Sequence, residues 1–293
     1  MKKFLLLTAF AFVTAALLSY TSTLKTPAYA TKECYVSCFN ADVREMARVD
    51  AADKTFASWH EAPKPFVLQN ATGSTITFSA PDGIEASGYL IKAKKKTNNY
   101  LFVIQEWWGL NDYIKNEAEK LAAELGNVNV LAIDMYDGKV AATPDSAMKL
   151  MQGAKPQRLE NIVKGAIAFA GEKAKIYTVG WCFGGMWSLQ ASIIAGKQAA
   201  GCIMYYGRPE TNVEKLKTLN CDVIGFFGNL DKGPSPAMVD QFVKDMEAAG
   251  KKLTVNRYEA GHGFANPSNP RHNTIATADA FAKSIAFLKE RLK

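Results

Sequence analysis

One cysteine of this chain lies in a turn whose residue types favour nucleophilic chemistry. The turn reads Gly180-Trp181-Cys182-Phe183-Gly184, after the apolar run 175–179 and before a helical pattern that starts at Met186. A strand, a glycine-bounded turn and a helix in this order predict a nucleophile elbow, in which the Phe183 N–H stabilises an oxyanion at a helix N-terminus. A packing cysteine in a glycine-rich turn is the alternative.

A thiol nucleophile needs a base, and the chain contains only three histidines. His262 follows the apolar run 253–258 and precedes the last helix, so we predict that it is the base. His60 and His272 are predicted to be surface or packing residues, because one precedes the main domain and the other lies in a proline-containing loop.

The third member of a triad is an acid that fixes the imidazole tautomer. Asp231 follows the strand pattern 222–227 and is predicted to fill this role, whereas Asp222 opens that strand and is assigned a turn or capping role. The order cysteine, aspartate, histidine along the chain is typical of α/β-hydrolases.

A second loop, Glu106-Trp107-Trp108, follows the apolar run 100–105. Glu106 is a candidate proton acceptor for the thiol, because two neighbouring tryptophans would desolvate its carboxylate. Capping of the next helix is the alternative role. The Trp107 N–H is predicted to be a second oxyanion donor, and Trp108 and Trp181 are predicted to line the substrate pocket.

The elements that must position these residues alternate along the chain. A Pro81-Asp82-Gly83 turn predicts an antiparallel hairpin, and from residue 99 onward strands alternate with amphipathic helices. This pattern predicts an α/β fold with a mostly parallel central sheet covered by helices on both faces. Strands are predicted at 74–79, 86–92, 100–105, 128–133, 175–179, 202–206, 222–227 and 253–258, and helices at 112–125, 145–151, 158–170, 185–194, 236–249 and 274–292.

Together these residues resemble the dienelactone hydrolase (carboxymethylenebutenolidase) family, over about residues 75–292. The resemblance is carried by 105–111, 180–185, Asp231 and 261–264. It implies that Cys182 is the nucleophile, that Asp231 orients the base His262, that Glu106 takes the thiol proton when substrate binds, and that Trp107 and Phe183 form the oxyanion hole.

One departure from the family concerns substrate charge. The prototype enzymes hold a substrate carboxylate with two arginines; Asn266 stands at one of these positions, and no arginine occurs between residues 138 and 157. The carboxylate recognition is therefore expected to be altered. Asn266 is a predicted substrate-binding residue, and Lys149, Lys155 and Arg271 are candidates for supplying the charge.

The N-terminal residues are typical of a secretory signal. Two lysines, an apolar stretch over residues 4–18 and Ala28-Tyr29-Ala30 predict cleavage after Ala30 and export to a periplasmic or extracellular compartment. We therefore divide the chain into a signal peptide (1–30), an N-terminal extension (31–70) that is helix-like over 40–58, and an α/β-hydrolase domain (71–293). The net charge of +7 falls to about +4 without the signal, which argues against a nucleic-acid partner.

The other cysteines carry weaker signals. Cys34 and Cys38 share a helical face, where a disulfide, two free thiols or half of a metal site are all open. Cys202 and Cys221 are predicted to be packing residues. No cofactor and no metal are predicted, the expected partner is a small ester or lactone, no membrane contact is expected after signal cleavage, and the choice between monomer and homodimer stays open.

Two function classes remain. The first is hydrolysis of a small ester or lactone through an acyl-enzyme on Cys182. The alternative is a non-hydrolytic protein that binds an apolar ligand with the tryptophans of the same pocket. The complete triad favours the hydrolase.

Overall fold

A computed structural model describes residues 60–292 of the chain, so the predicted signal peptide, the predicted helix 40–58, Cys34 and Cys38 lie outside the described residues. The described part contains one eight-stranded sheet. Its strands are β1 (Ser74–Ser79), β2 (Glu85–Ile91), β3 (Asn99–Ile104), β4 (Asn129–Ile133), β5 (Lys175–Trp181), β6 (Ala199–Tyr205), β7 (Val223–Gly228) and β8 (Leu253–Tyr258).

The predicted antiparallel start of the sheet is confirmed. Strands β1 and β2 pair with Ser79 opposite Glu85, and the turn between them uses Gly83 at φ +76°. Strand β2 also runs antiparallel to β4, whereas every later pairing is parallel. The spatial order is β1-β2-β4-β3-β5-β6-β7-β8. Strand β4 therefore lies between β2 and β3, and the strands from β5 onward are added on the other side of β3.

Helices connect the parallel strands. They are α1 (Asp112–Leu125), α2 (Pro144–Gly153), α3 (Pro156–Ala170), α4 (Phe183–Ala195), the short α5 (Val213–Leu216), α6 (Pro236–Ala248) and α7 (Thr274–Arg291). Sequence reasoning missed α5 and a 3-10 turn at Gly196–Gln198, and it began α4 two residues late. The late start arose because Gly184 and Gly185 have weak helix propensity, which tertiary packing overrides here.

Strand β3 lies at the centre of the core. Phe102 and Ile104 point into a cluster with α3 and α4, whereas Leu101 and Val103 point into a second cluster with α1 and α7. All four side chains are fully buried. Alternate residues of a strand face opposite sides of a sheet, so burial of both sets confirms the α/β fold with helices on both faces. Among residues 60–292, no helix has the length and apolarity needed to cross a membrane.

Candidate active site

Cys182 lies at the junction of β5 and α4. Its backbone has φ 55° and ψ −118°, a conformation that L-amino acids rarely adopt, and its side chain is only 3% exposed. Strain of about 1–3 kcal/mol at a single residue persists only where the surrounding structure holds it in place. The predicted strained cysteine turn is thus present in the structure.

The glycines beside Cys182 hold that turn against the sheet. A Cβ on Gly180 would overlap the carbonyl oxygen of Gly184, and a Cβ on Gly184 would overlap the carbonyl oxygens of Ile104 and Gln105. The first turn of α4 therefore lies directly against the end of β3. This close approach brings the backbone of Phe183 beside the loop that contains Trp107, where the two predicted oxyanion donors belong.

Asp231 and His262 form a hydrogen-bonded pair. Asp231 Oδ2 lies 2.8 Å from His262 Nδ1, and Asp231 Oδ1 accepts the backbone N–H of Gly233 at 2.8 Å. Both side chains are buried. An anionic acceptor on Nδ1 selects the tautomer that carries a proton there, which leaves Nε2 for the Cys182 side.

The environment of His262 favours its protonated form. Burial by itself lowers the pKa of His262, but the Asp231 and Cys182 charges, together with hydrogen bonds to both side chains, raise it well above its usual value. A histidine that is stabilised as imidazolium beside a thiolate can take up the thiol proton. The arrangement supports transfer of a proton from Cys182 to His262.

Glu106 is a buried carboxylate with two neutral donors. Its Oε1 accepts the Tyr206 hydroxyl at 3.1 Å and its Oε2 accepts the Asn266 side-chain amide at 2.5 Å. Burial raises the pKa of Glu106 to about 7, although the His262 charge and these two hydrogen bonds each lower it. The alternative role as a helix cap is wrong, because Asn111 caps α1 by accepting the N–H of Ile114.

The three predicted substrate-binding residues line one cleft. Trp108, Trp181 and Asn266 surround it together with Glu106 and Tyr206, and its free volume is about 20 Å³. That volume holds about one water molecule. Two candidates for the charge, Lys149 and Lys155, line a separate cleft of about 270 Å³, while Arg271 is exposed.

A comparison with protein families matches residues 86–292 to the model described as the dienelactone hydrolase family. The chain belongs to this family. It is therefore a hydrolase of the esterase type, and the resemblance read from its motifs is confirmed. The enzymes of the dienelactone hydrolase family act on small-molecule substrates.

Individual relatives agree with the family. The chain is 27% identical to "Protein usf" of Aquifex pyrophilus over 72% of its own length and 96% of the relative's. It is 25% identical to a carboxymethylenebutenolidase of Pseudomonas sp., over 64% of this chain and 83% of that one. Among solved structures, it resembles a dienelactone hydrolase-like promiscuous phosphotriesterase from metagenomic libraries, with a TM-score of 0.65, 20% identity and coverage of 75% and 99%.

A further solved structure, the dienelactone hydrolase of Anabaena variabilis, matches with a TM-score of 0.56 and 16% identity over 75% of this chain and 98% of that one. At these identities the structural matches bear on the fold alone. The fold they share is the α/β-hydrolase fold, as predicted. The roles of the individual site residues therefore rest on their geometry in this dienelactone hydrolase family member.

One residue at the site was missed by sequence reasoning. His60, predicted to be at the surface or in packing, is only 5% exposed, so a surface position is wrong. Its ring lies 4.6 Å from the Trp107 ring and 5.1 Å from the His262 ring, measured between centroids. His60 has no motif around it and precedes the part of the chain that matches the dienelactone hydrolase family. Only the scarcity of histidines in the sequence could have drawn attention to it.

Proposed function

We propose that this chain hydrolyses small carboxylic esters or lactones through an acyl-enzyme on Cys182. His262 is the general base and Asp231 holds its imidazole in the reactive tautomer. The hydrogen bond of 2.8 Å between His262 Nδ1 and Asp231, next to a cysteine at φ 55°, carries this proposal. Nucleophile, base and orienting acid in hydrogen-bonded sequence are the requirements for covalent acyl transfer.

The reaction has two halves. Cys182 Sγ forms a bond to the carbonyl carbon, the thiol proton moves to His262 Nε2, and the carbonyl electron pair moves onto oxygen. When the carbonyl re-forms, the ester oxygen leaves and takes the proton from His262. Water then gives a proton to His262 and attacks the thioester carbonyl, and the thiol leaves with that proton as the acid is released.

Backbone donors and Glu106 assist these steps. The N–H groups of Trp107 and Phe183 are assigned to the oxyanion, which is supported by the packing of α4 against the end of β3. A carboxylate with a pKa of about 7 is ionised in about half of the molecules at neutral pH, so Glu106 is suited to accept the thiol proton before attack and to pass it to His262, which protonates the leaving oxygen.

The preferred substrate is proposed to be uncharged near the acyl group. Asn266 replaces an arginine by a neutral amide, and that amide already donates to Glu106. A substrate carboxylate in this cleft would lie beside the Glu106 carboxylate, which repels it. The described residues that line the cleft include the Glu106 carboxylate and no arginine. We therefore expect the enzyme to recognise a substrate carboxylate differently from the prototype enzymes.

The chain is also proposed to be exported. The support is the sequence of residues 1–30, with its lysines, apolar stretch and Ala28-Tyr29-Ala30 cleavage site. Intact-mass spectrometry of the protein made in a bacterial host tests this directly. A mature protein that begins at Thr31 supports export, and a mature protein that keeps residue 1 contradicts it.

The test of the acyl-enzyme uses p-nitrophenyl acetate under rapid mixing. We expect a burst of p-nitrophenolate equal to one per active site, and an acetyl mass increase on the peptide that contains Cys182. Cys182→Ala abolishes both signals. Cys221→Ala, a partly buried cysteine outside the site, keeps both and serves as the matched control. A full burst from Cys182→Ala would overturn the mechanism.

A further inference from the structure

The proposed reaction makes no use of His60, although this histidine is buried at the site. The segment that follows it is fixed to α1: Tyr113 donates its hydroxyl to the Lys64 carbonyl at 3.2 Å and stacks on Phe66, and the Leu68 N–H donates to Asp112 at 3.0 Å. These contacts hold residues 64–68 against the first turn of α1. His60 precedes this segment in the chain, and its ring lies beside that of His262.

His60, Cys182 and His262 converge on one point. One ligand atom from each, an imidazole nitrogen or the thiol sulfur, lies within 4.8 Å of the other two, and all three residues are buried. Zinc bonds of about 2.0 Å to nitrogen and 2.3 Å to sulfur in a tetrahedron separate the ligand atoms by roughly 3.3 to 3.8 Å. A contraction of at most about 1.5 Å, within the range of side-chain rotation, therefore completes a site.

The donor set selects a particular class of ion. Two imidazoles and a thiolate are borderline to soft ligands, which suit zinc and related d-block ions and are poor ligands for magnesium or calcium. Three protein ligands leave a fourth tetrahedral position for water. The cluster is therefore chemically suited to a divalent d-block ion such as zinc.

The surroundings of His262 support a metal as well. Metal-binding histidines donate the second ring N–H to a carboxylate, a backbone carbonyl or water, and Asp231 occupies that position at 2.8 Å from Nδ1. The Asp231 carboxylate and a Cys182 thiolate carry two negative charges, which balance a divalent cation in a buried place. The orientation of His262 and the negative charge around the site thus both favour binding of a divalent cation.

We propose that His60, Cys182 and His262 bind one divalent d-block ion, with zinc as the representative, and that the bound ion blocks hydrolysis. Binding takes the thiolate sulfur of Cys182 and Nε2 of His262, and the thiol proton is released to solvent. The blocking effect rests on the proposed acyl-enzyme mechanism, whereas the metal site does not. Zinc occupancy would make the hydrolase responsive to metal through a histidine that lies outside the family match.

The binding test uses the full-length metal-free protein, reduced before use. Zinc is titrated against a chromogenic chelator, and cobalt(II) is added separately, because a cobalt–thiolate bond gives a charge-transfer absorption. We expect one ion per chain and the thiolate absorption. His60→Ala weakens zinc binding by at least about 100-fold, more than the loss of an outer-shell partner does. Cys182→Ser removes the thiolate absorption.

Two controls isolate the site. His272→Ala, in a partly exposed loop, keeps the wild-type affinity. The double variant Cys34→Ser, Cys38→Ser keeps it too, which excludes binding by the N-terminal cysteines. Equal affinity in wild type and His60→Ala, or no cobalt–thiolate absorption in wild type, overturns the site.

The activity arm separates the two proposals. Ester hydrolysis by wild type is expected to fall with zinc at the midpoint that the titration gives and to return when EDTA is added. In His60→Ala the inhibition midpoint moves to zinc concentrations at least about 100-fold higher, relative to that variant's own zinc-free rate. Zinc binding without inhibition overturns the blocking role. Suppose that added cobalt gives the thiolate absorption but the protein hydrolyses no ester before any metal is added. That result overturns the acyl-enzyme mechanism and leaves the metal site standing.

Discussion

Asn266 donates its side-chain amide to the carboxylate of Glu106 at 2.5 Å, across 160 positions of the chain. With the Tyr206 hydroxyl at 3.1 Å on the other oxygen, each oxygen of this buried carboxylate has a neutral donor. Burial favours the protonated acid, whereas the His262 charge and the two donors favour the carboxylate, so the pKa of about 7 reflects a balance between these effects. Changes to either donor should therefore move the pH dependence of the enzyme.

Tyr206→Phe removes one donor and should raise the pKa of Glu106. A hydrogen bond to a charged group contributes about 1.5 kcal/mol or more, which corresponds to about one pKa unit. If ionised Glu106 accepts the thiol proton, the rise of kcat/KM with pH moves about one unit to the alkaline side. A pH profile of ester hydrolysis measures this. Tyr205→Phe is the control, since the Tyr205 hydroxyl shares a hydrogen bond with Ser284 and not with Glu106. If the pH profile of Tyr206→Phe is the same as that of wild type, Glu106 is excluded as the titrating group.

Glu106 should also make stability depend on pH. Its pKa is raised from an ordinary value of 4.5 to about 7, so the folded state holds the proton more tightly than the unfolded state. This contribution is fully present below pH 4.5 and is lost as the pH rises through 7, a decrease of about 3 kcal/mol in the free energy of unfolding. Glu106→Gln removes that part of the pH dependence. Urea unfolding at pH 5 and pH 8 is the measurement, and an unchanged difference between the two pH values in the variant contradicts the assignment.

Asp231→Asn tests the orientation of His262. The amide can present an N–H to Nδ1 and so favour the wrong tautomer, and the same change in a serine triad lowers kcat by roughly 10⁴-fold. We expect a loss of that order in ester hydrolysis with little change in KM. Asp222→Asn is the matched control, because Asp222 pairs with Arg291 at 2.6 Å at the opposite end of β7. A kcat within about tenfold of wild type for Asp231→Asn would remove Asp231 from the proposed triad.

Gly184→Ala tests the contact between α4 and β3. The added Cβ would overlap two backbone carbonyl oxygens, which cannot rotate away as a side chain can. We expect unfolding to become easier by about 3 kcal/mol or more, seen as a lower urea midpoint. Gly153→Ala, whose Cβ would meet nothing within 4 Å, changes stability little and is the control. Equal stability of the two variants would mean that the close approach is not required.

The positions of the proposed triad residues were predictable because they follow from strand ends. Cys182, Asp231 and His262 each follow a parallel strand within four residues, and such strand ends meet at one edge of a sheet. The order of the strands was not predictable from pattern alone, since β3 inserts between β4 and β5 through long-range pairing. His60 escaped prediction for a similar reason. Its burial depends on contacts of residues 64–68 with α1, which leave no periodic signal in the sequence.

The antiparallel hairpin at the start of the sheet has a practical consequence for anyone who shortens this protein. The family match begins at residue 86, but β1 pairs along the outer edge of β2 from Ser74 to Ser79. A version trimmed to residues 86–292 would expose the backbone N–H and C=O groups of β2, and unprotected edges invite intermolecular strand pairing. The boundaries suggested by sequence similarity would therefore give an aggregation-prone protein, and His60 would be missing from it.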